Sequence, residues 1–87
     1  MNVESLLTFP CEFPIKVMGR SSETFETEVV GIVRKHAPDL SRNAVTSRAS
    51  GKGNYVAITV IVTATSKEQL DNIYLELNAH EAVMMTL

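Results

Sequence analysis

The side chains best suited to catalysis are one cysteine and two histidines, Cys11, His36 and His80. Nucleophilic catalysis needs a base within hydrogen-bond reach of the nucleophile and a third group that orients the base. The three residues fall in segments with no predicted reason to meet, so structural histidines on a solvated surface are the simpler explanation. Zinc sites use short paired spacings of cysteine and histidine, which are absent from this sequence. We therefore predict no enzyme activity, no metal and no cofactor.

The four residues from Gly19 to Ser22 are the best candidate for a ligand site. Gly19 ends the first predicted strand, and Ser21 or Ser22 is predicted to cap the helix that follows. Free backbone N–H groups at a helix start, two hydroxyls and the Arg20 guanidinium could together hold a carboxylate. Simple helix capping is the competing explanation for the same residues.

Basic side chains concentrate between Asp39 and Glu68, with no acidic residue between these two ends. A positive hairpin of this kind could dock on an acidic partner, although charges that protect an edge strand from aggregation are the commoner cause. A sheet that binds RNA would stack bases on aromatic side chains, and this chain has Asn54, Val56 and Thr59 at those positions. We therefore expect no nucleic-acid binding. The basic residues are Arg42, Arg48, Lys52 and Lys67.

Four strands are predicted to position these groups. Alternating apolar residues indicate a first strand at 13–19 and a strong, central strand at 55–65. A weaker stretch at 43–49 has few large apolar residues, as an edge strand would, and turn residues join it to the central strand as a hairpin. A short last strand is predicted from the apolar residues at every second position, which are Val83, Met85 and Leu87.

Two helices are predicted between the strands. Apolar residues at helical spacing begin at Phe25, and Gly31 within this helix is expected to allow close approach to the sheet. Ser66 and Gln69 have the spacing of a capping box, which predicts the start of the second helix.

The order β-α-β-β-α-β, joined by right-handed crossovers, predicts an α+β ferredoxin-like sandwich. Its four-stranded antiparallel sheet has the order 4-1-3-2, and both helices cover one face. The opposite face is then left open, so it must be solvated, paired with another sheet or bound to a partner, and it is the first place to look for a function. The residues predicted on this open face are Lys16, Met18, Thr46, Arg48, Thr59, Ile61 and Met84.

Length and composition are those of a small globular protein. The 87 residues predict a single domain over 1–87, with 1–12 as a lead-in segment. A net charge of −2 gives little attraction to a polyanion or an anionic membrane. No apolar run approaches the roughly 20 residues of a membrane-spanning helix. One cysteine allows no internal disulfide and the first residues lack a secretory signal, so a cytoplasmic location is expected.

Several short stretches together resemble the YbeD-like family of small bacterial proteins. The resemblance spans essentially the whole chain at matching spacing, and it implies a fold similar to that of ACT domains. ACT domains are regulatory modules that bind amino acids and pair through their sheets. Their ligand lies near the glycine-containing turn after the first strand, which corresponds to Gly19, and Arg20 stands where an acidic residue is common. The stretches are FP at 9–10, KVMG at 16–19, HAP at 36–38, KGNY at 52–55 and the final helix and strand.

Together these features predict a small non-enzymatic regulatory or adaptor domain, with no membrane association. Such a domain would bind an amino acid or other small metabolite, a protein partner, or a second copy of itself. The alternative is a protein-interaction module that docks an acidic partner through the basic second strand and hairpin. The predicted ligand site is Gly19, Arg20, Ser21 and Ser22. The predicted partner site is Lys16, Met18, Arg48, Lys52 and Ile61.

Overall fold

The computed structural model describes residues 8–87, which form one antiparallel sheet and two α-helices. A short 3₁₀ turn at Arg42–Ala44 precedes the second strand. The predicted order of strands and helices is confirmed. The elements are β1 (Cys11–Arg20), α1 (Phe25–His36), β2 (Val45–Ala49), β3 (Tyr55–Ala64), α2 (Lys67–Ala79) and β4 (Val83–Thr86).

The strands lie in the order β2-β3-β1-β4, which is the predicted order. The central pair, β1 and β3, is in register over the whole of both strands, from Cys11 opposite Ala64 to Arg20 opposite Tyr55. The edge strands are shorter. β2 pairs with β3 only over 56–60, and β4 pairs with the end of β1.

Both helices pack on the same face of the sheet and enclose one core. Alternate residues of a strand point to opposite faces, so every second residue in the middle of β1 and β3 is buried against the helices. The α+β ferredoxin-like architecture is therefore confirmed. The largest fully buried side chains are Ile15, Val17, Phe25, Val29, Val33, Ile58, Val60, Val62, Ile73 and Leu77.

The first strand begins two residues earlier than predicted. Cys11 and Glu12 pair with β3, so they belong to the sheet and not to a lead-in segment. Residues 1–7 of the predicted lead-in lie outside the described residues. The extent of a single domain over 1–87 stays a prediction.

The first helix begins later than predicted, at Phe25. Its N-cap residue is Thr24, and the Thr24 side chain accepts no capping hydrogen bond. The predicted caps Ser21 and Ser22 are therefore wrong. The reason is that the Ser21 N–H donates to the carbonyl of Asn54 (2.9 Å), which holds the chain beside the β2–β3 hairpin before the helix can start.

The cap of the second helix is confirmed. Ser66 Oγ accepts from the backbone N–H of Gln69 (3.1 Å). The Gln69 side-chain oxygen accepts from the N–H of Thr65 (2.7 Å), while its amide nitrogen donates to the carbonyl of His36 (2.9 Å). One side chain thus links the start of α2 to the end of α1.

Gly31 lies on the exposed side of α1. A Cβ atom placed on Gly31 would meet nothing within 4 Å. The expectation that this glycine allows close approach to the sheet is therefore wrong.

Candidate functional site

The sheet face opposite the helices is covered by no part of residues 8–87, and we call it the open face. All but one of the large exposed apolar side chains in this range lie on it, and the exception is Leu75 on α2 (68% exposed). Such side chains normally pack in a core, so their concentration on one face marks it for contact with another molecule. They are Met18 (42% exposed), Tyr55 (43%), Met84 (60%), Met85 (50%) and Leu87 (69%).

Strand pairing arranges the open face in rows that cross the sheet. The Cβ atoms of residues directly opposite one another on neighbouring antiparallel strands are about 5 Å apart, so the side chains of one row are in contact. Leu87 lies beyond the end of β4 but belongs to the row of Lys16, because two hydrogen bonds join the backbones of these two residues (3.1 and 2.8 Å). The two complete rows are Thr46–Thr59–Lys16–Leu87 and Arg48–Ala57–Met18–Met85.

A hollow forms at Ala57 in the middle of the second row. The methyl group of Ala57 stands between the longer side chains of Met18 and Arg48, so the surface is low at this point. Two depressions of about 540 and 560 Å³ share these three residues. We call them together the Ala57 hollow. Their volumes are in the range of binding pockets, and both are open to solvent.

The Ala57 hollow is cationic. Lys16 and Arg48 are exposed beside it, and the two complete rows contain no acidic side chain. The first turns of both helices, which lie on the other side of the sheet, carry acidic residues instead. The field at the hollow therefore favours a negatively charged group.

The predicted partner residues divide into two groups. Lys16, Met18 and Arg48 line the Ala57 hollow together. Ile61 is on the open face but lines another depression of about 560 Å³, beside the connection from α1 to β2. Lys52 lies in the hairpin turn and lines none of these three depressions. Partner binding by these residues stays a prediction.

Sequence reasoning missed Met85 and Leu87 as open-face residues. Simple alternation placed them on the side of Val83, which packs against the core. That placement is wrong, because a bulge in the β1–β4 pairing sets Met18 opposite Met85 but Gly19 opposite Val83. The extra residue in β4 reverses the alternation beyond it.

Gly19 is buried under two close neighbours. A Cβ atom on Gly19 would collide with the Phe25 ring and with the carbonyl oxygen of Ala82. The same carbonyl accepts from the backbone N–H of Arg20 (3.0 Å), and the Arg20 guanidinium donates to the carbonyl of Glu81 (3.2 Å). Close packing therefore explains this glycine.

The predicted ligand turn lacks the helix start that motivated it. The backbone N–H groups of Arg20 and Ser21 both have carbonyl partners. None of Gly19, Arg20, Ser21 and Ser22 lines any of the three depressions described above. Ligand binding at this turn stays a prediction.

His80 uses both ring nitrogens in the fold. Its Nδ1 accepts from the N–H of Ala82 (3.0 Å), so the proton is on Nε2, which donates to the carboxylate of Glu28. The ring also meets Phe25 edge-on, with ring centroids 5.9 Å apart. Hydrogen bonds from Thr24 and then from His80 hold the pKa of Glu28 below its ordinary value of 4.5.

His36 belongs to a second bridge between the helices. Its Nε2 is 2.8 Å from Glu76 Oε1, and Lys35 Nζ donates to Glu76 Oε2 (2.7 Å). These hydrogen bonds, that of Lys35 first, hold the pKa of the Glu76 carboxyl below 4.5. The side chains of His36 and His80 are 20% and 19% exposed, so both lie at the surface but are largely enclosed by the residues they bond, as structural histidines.

Within residues 8–87 no three histidine, cysteine or acidic side chains gather closely enough to hold a metal ion. Neither helix of this range has the length and apolar character that crossing a membrane would require.

Comparison with known sequences places the chain in a family. The family described as "Protein of unknown function (DUF493)" matches residues 4–87. The chain belongs to the DUF493 family. A UPF0250 protein of Chromobacterium violaceum is 50% identical over 84 residues, which cover 97% of this chain and 94% of that protein. A UPF0250 protein of Nitrosomonas europaea is 42% identical over 87 residues and matches over the full length of both. The resemblance to a family of small bacterial proteins is confirmed.

Solved structures similar to this DUF493 chain include ACT domains. The crystal structure of the ACT domain from GTP pyrophosphokinase of Chlorobium tepidum superposes with a TM-score of 0.69 at 12% identity, covering 87% of this chain and 94% of that one. The solution structure of protein HP0495 from H. pylori gives a TM-score of 0.71 at 12% identity, covering 93% and 85%. At such low identity the likeness shows the fold alone, and the predicted ACT-like fold is confirmed.

Proposed function

We propose that this DUF493 chain is a small regulatory or adaptor domain that binds a protein partner on its open face. The observation that carries the proposal is the concentration of exposed apolar side chains around the Ala57 hollow. Exposed apolar patches rimmed by polar groups are typical of protein interaction sites. Methionine and arginine are enriched at such sites, and the flexible thioether side chain of methionine adapts to a partner's shape.

The partner is expected to present an apolar segment with carboxylate side chains. Lys16 and Arg48 would pair with those carboxylates at the border of the Ala57 hollow. A second copy docked face to face would set one cationic surface against another, and like charges in an interface are unfavourable. The charge of the open face therefore supports a different, acidic protein. Association of two copies through other surfaces stays a prediction.

The proposal is a binding role without catalysis. Its support is that His36 and His80 hold carboxylates that join the two helical segments, and that both ring nitrogens of His80 are engaged. A measured turnover that is lost on His80→Gln in a correctly folded variant would contradict it. The cytoplasmic location also stays a prediction.

Affinity purification with matched variants tests the open face. Met85→Asp replaces an exposed apolar side chain beside the Ala57 hollow with a charge, and Ala57→Phe fills the hollow, so both should lose any protein that the unchanged chain retains. Leu75→Asp makes the same apolar-to-acidic change on the solvent side of α2 and should retain it. A retained protein that is insensitive to Met85→Asp and Ala57→Phe contradicts the proposal.

Cross-linking independently shows which surface of the chain binds the retained protein. A lysine-reactive reagent should join Lys16 to the partner, and Lys35, on α1, should give no such product. Charge reversal at Lys16 and Arg48 should weaken retention, and added salt should do the same because the contacts are ionic. Cross-links confined to Lys35 would place the partner on the helices and contradict the proposal.

A second candidate uses the basic hairpin and the edge of β2. Thr46–Ala49 are exposed along that edge, and Lys52 stands in the adjoining turn. An acidic partner bound there would be lost on Lys52→Glu and retained on Met85→Asp. The open-face proposal expects the reverse, so these two variants separate the candidates.

Metabolite binding at the Gly19 turn is tested differently. Gly19→Val is unsuitable, because its side chain would collide with Phe25 and Ala82 and destabilise the fold. Thermal-shift screening of amino acids against the unchanged chain and the Arg20→Ala and Ser22→Ala variants avoids that problem. A compound that raises the melting temperature only when Arg20 and Ser22 are present would support the turn as its site.

A further inference from the structure

The methionines within residues 8–87 all lie on the open face. They are Met18, Met84 and Met85, and none belongs to the buried core, which is built of isoleucine, valine, leucine, phenylalanine and alanine. Met18 and Met85 are direct neighbours across β1 and β4, and Met84 joins Met18 at the edge of the Ala57 hollow. The bulge in β4 is what gives two consecutive methionines access to this one face.

These three methionines are exposed to small oxidants. The three side chains are 42%, 60% and 50% exposed. Hydrogen peroxide oxidises a thioether by a two-electron step. A sulfur lone pair attacks one peroxide oxygen, the S–O bond forms as the O–O bond breaks, and the departing hydroxide takes the proton to leave as water. The product is methionine sulfoxide, which a thiol-dependent reductase converts back to methionine as it forms a disulfide and water.

We infer that Met18, Met84 and Met85 form an oxidation site that turns the open face from apolar to polar. A sulfoxide carries a strong dipole and accepts hydrogen bonds, so its burial under an apolar segment is unfavourable. Two of the four residues in the Arg48–Ala57–Met18–Met85 row would change in this way. The fold would persist, because none of the core residues within 8–87 is a methionine.

The consequence for docking rests on the proposed function, whereas the oxidation itself does not. A free domain would be sensitive to peroxide, and a docked domain would be protected because its partner covers the sulfur atoms. Oxidation would therefore block new association without unfolding the domain.

Peroxide titration with peptide mass spectrometry tests the oxidation step. A Cys11→Ala background removes the competing thiol. The three methionines should each gain one oxygen at rates within about tenfold of free methionine, as exposure predicts. Circular dichroism should show the melting temperature changed by no more than about 3 °C, since a shift of that size corresponds to less than about 1 kcal/mol. Oxidation confined to Met1, or unfolding on oxidation, would overturn the inference.

Binding of the dye ANS tests the change of surface character. Its aromatic rings suit the exposed side chains of Met18, Met84 and Met85 and its sulfonate suits Lys16 and Arg48, so the reduced protein should enhance its fluorescence. Oxidation should lower that enhancement by about threefold or more, because ANS reports exposed apolar surface. A reduced protein that fails to bind ANS, or an oxidised protein that binds it unchanged, would overturn the inference.

Two matched variants locate the effect. The triple variant Met18→Leu, Met84→Leu and Met85→Leu keeps the apolar surface and should bind ANS equally before and after peroxide. Adding Leu75→Met to that variant supplies an exposed thioether on α2, whose oxidation should leave ANS binding unchanged. A loss of ANS binding in this second variant would overturn the inference. The proposed docking role fails separately, through the purification with Met85→Asp and Leu75→Asp.

Discussion

Gly19 shows how one missing Cβ atom sets the path of the chain. The Phe25 ring and the Ala82 carbonyl occupy the space that a side chain at this position would need. Ala82 cannot easily withdraw, because its carbonyl also accepts from the N–H of Arg20. The sequence alone suggests a turn glycine here, since nothing local reveals that Ala82, far along the chain, closes over it.

Replacement of Gly19 by alanine should therefore destabilise the fold. Overpacking against backbone is expected to lower the free energy of unfolding by about 3 kcal/mol, measured by urea denaturation. Gly31→Ala is the matched control. Gly31 is exposed within a helix, so alanine there should raise the free energy of unfolding by about 1 kcal/mol. Equal effects at the two glycines would contradict this account.

At the scale of elements, the two helix starts behave differently. Ser66 caps α2 by accepting from the N–H of Gln69, whereas Ser22 lies ahead of α1 and its N-cap residue Thr24. Ser66→Ala should lower the free energy of unfolding by about 1 kcal/mol. Ser22→Ala should change it by no more than about 0.5 kcal/mol, as expected for an exposed position. Comparable losses in the two variants would restore Ser22 as a capping residue.

The helices and strands could be predicted where the sequence pattern that specifies them is formed by neighbouring residues. Alternation in β3, the stripe of α1 and the Ser66–Gln69 spacing each depend on neighbouring residues, and they gave the element order and the sheet order. The β4 bulge is different, because it arises from pairing with β1 at a distant place in the chain. For this reason the open face could be predicted, but the full set of methionines around the Ala57 hollow could not.

At the scale of the whole molecule, two carboxylates join the helical layer. Glu76 of α2 bonds Lys35 and His36 of α1, and Glu28 of α1 bonds His80 after α2. The pKa of each carboxyl is lowered in the folded state, so the unfolded chain binds more protons below about pH 4.5. Their stabilising contribution is present above that pH and is lost as the pH falls through the folded pKa.

Acid denaturation should depend on these two residues. The urea midpoint of the unchanged chain should fall as the pH is lowered from about 5 to about 3. In the Glu28→Gln, Glu76→Gln double variant the midpoint should start lower and fall less. Glu26→Gln alters an exposed carboxylate of α1 and should leave the slope almost unchanged. Parallel curves for the double variant and the unchanged chain would show that these bridges contribute nothing.

The pairing of β1 also bears on how fast the chain folds. This strand lies in the middle of the sheet, yet both of its partners come much later in the chain, and Lys16 bonds to Leu87. Most sheet contacts therefore close long loops, and a high contact order slows the search for the native topology. Refolding is expected on the order of milliseconds or slower, because β1 can pair only when the distant strands β3 and β4 reach it.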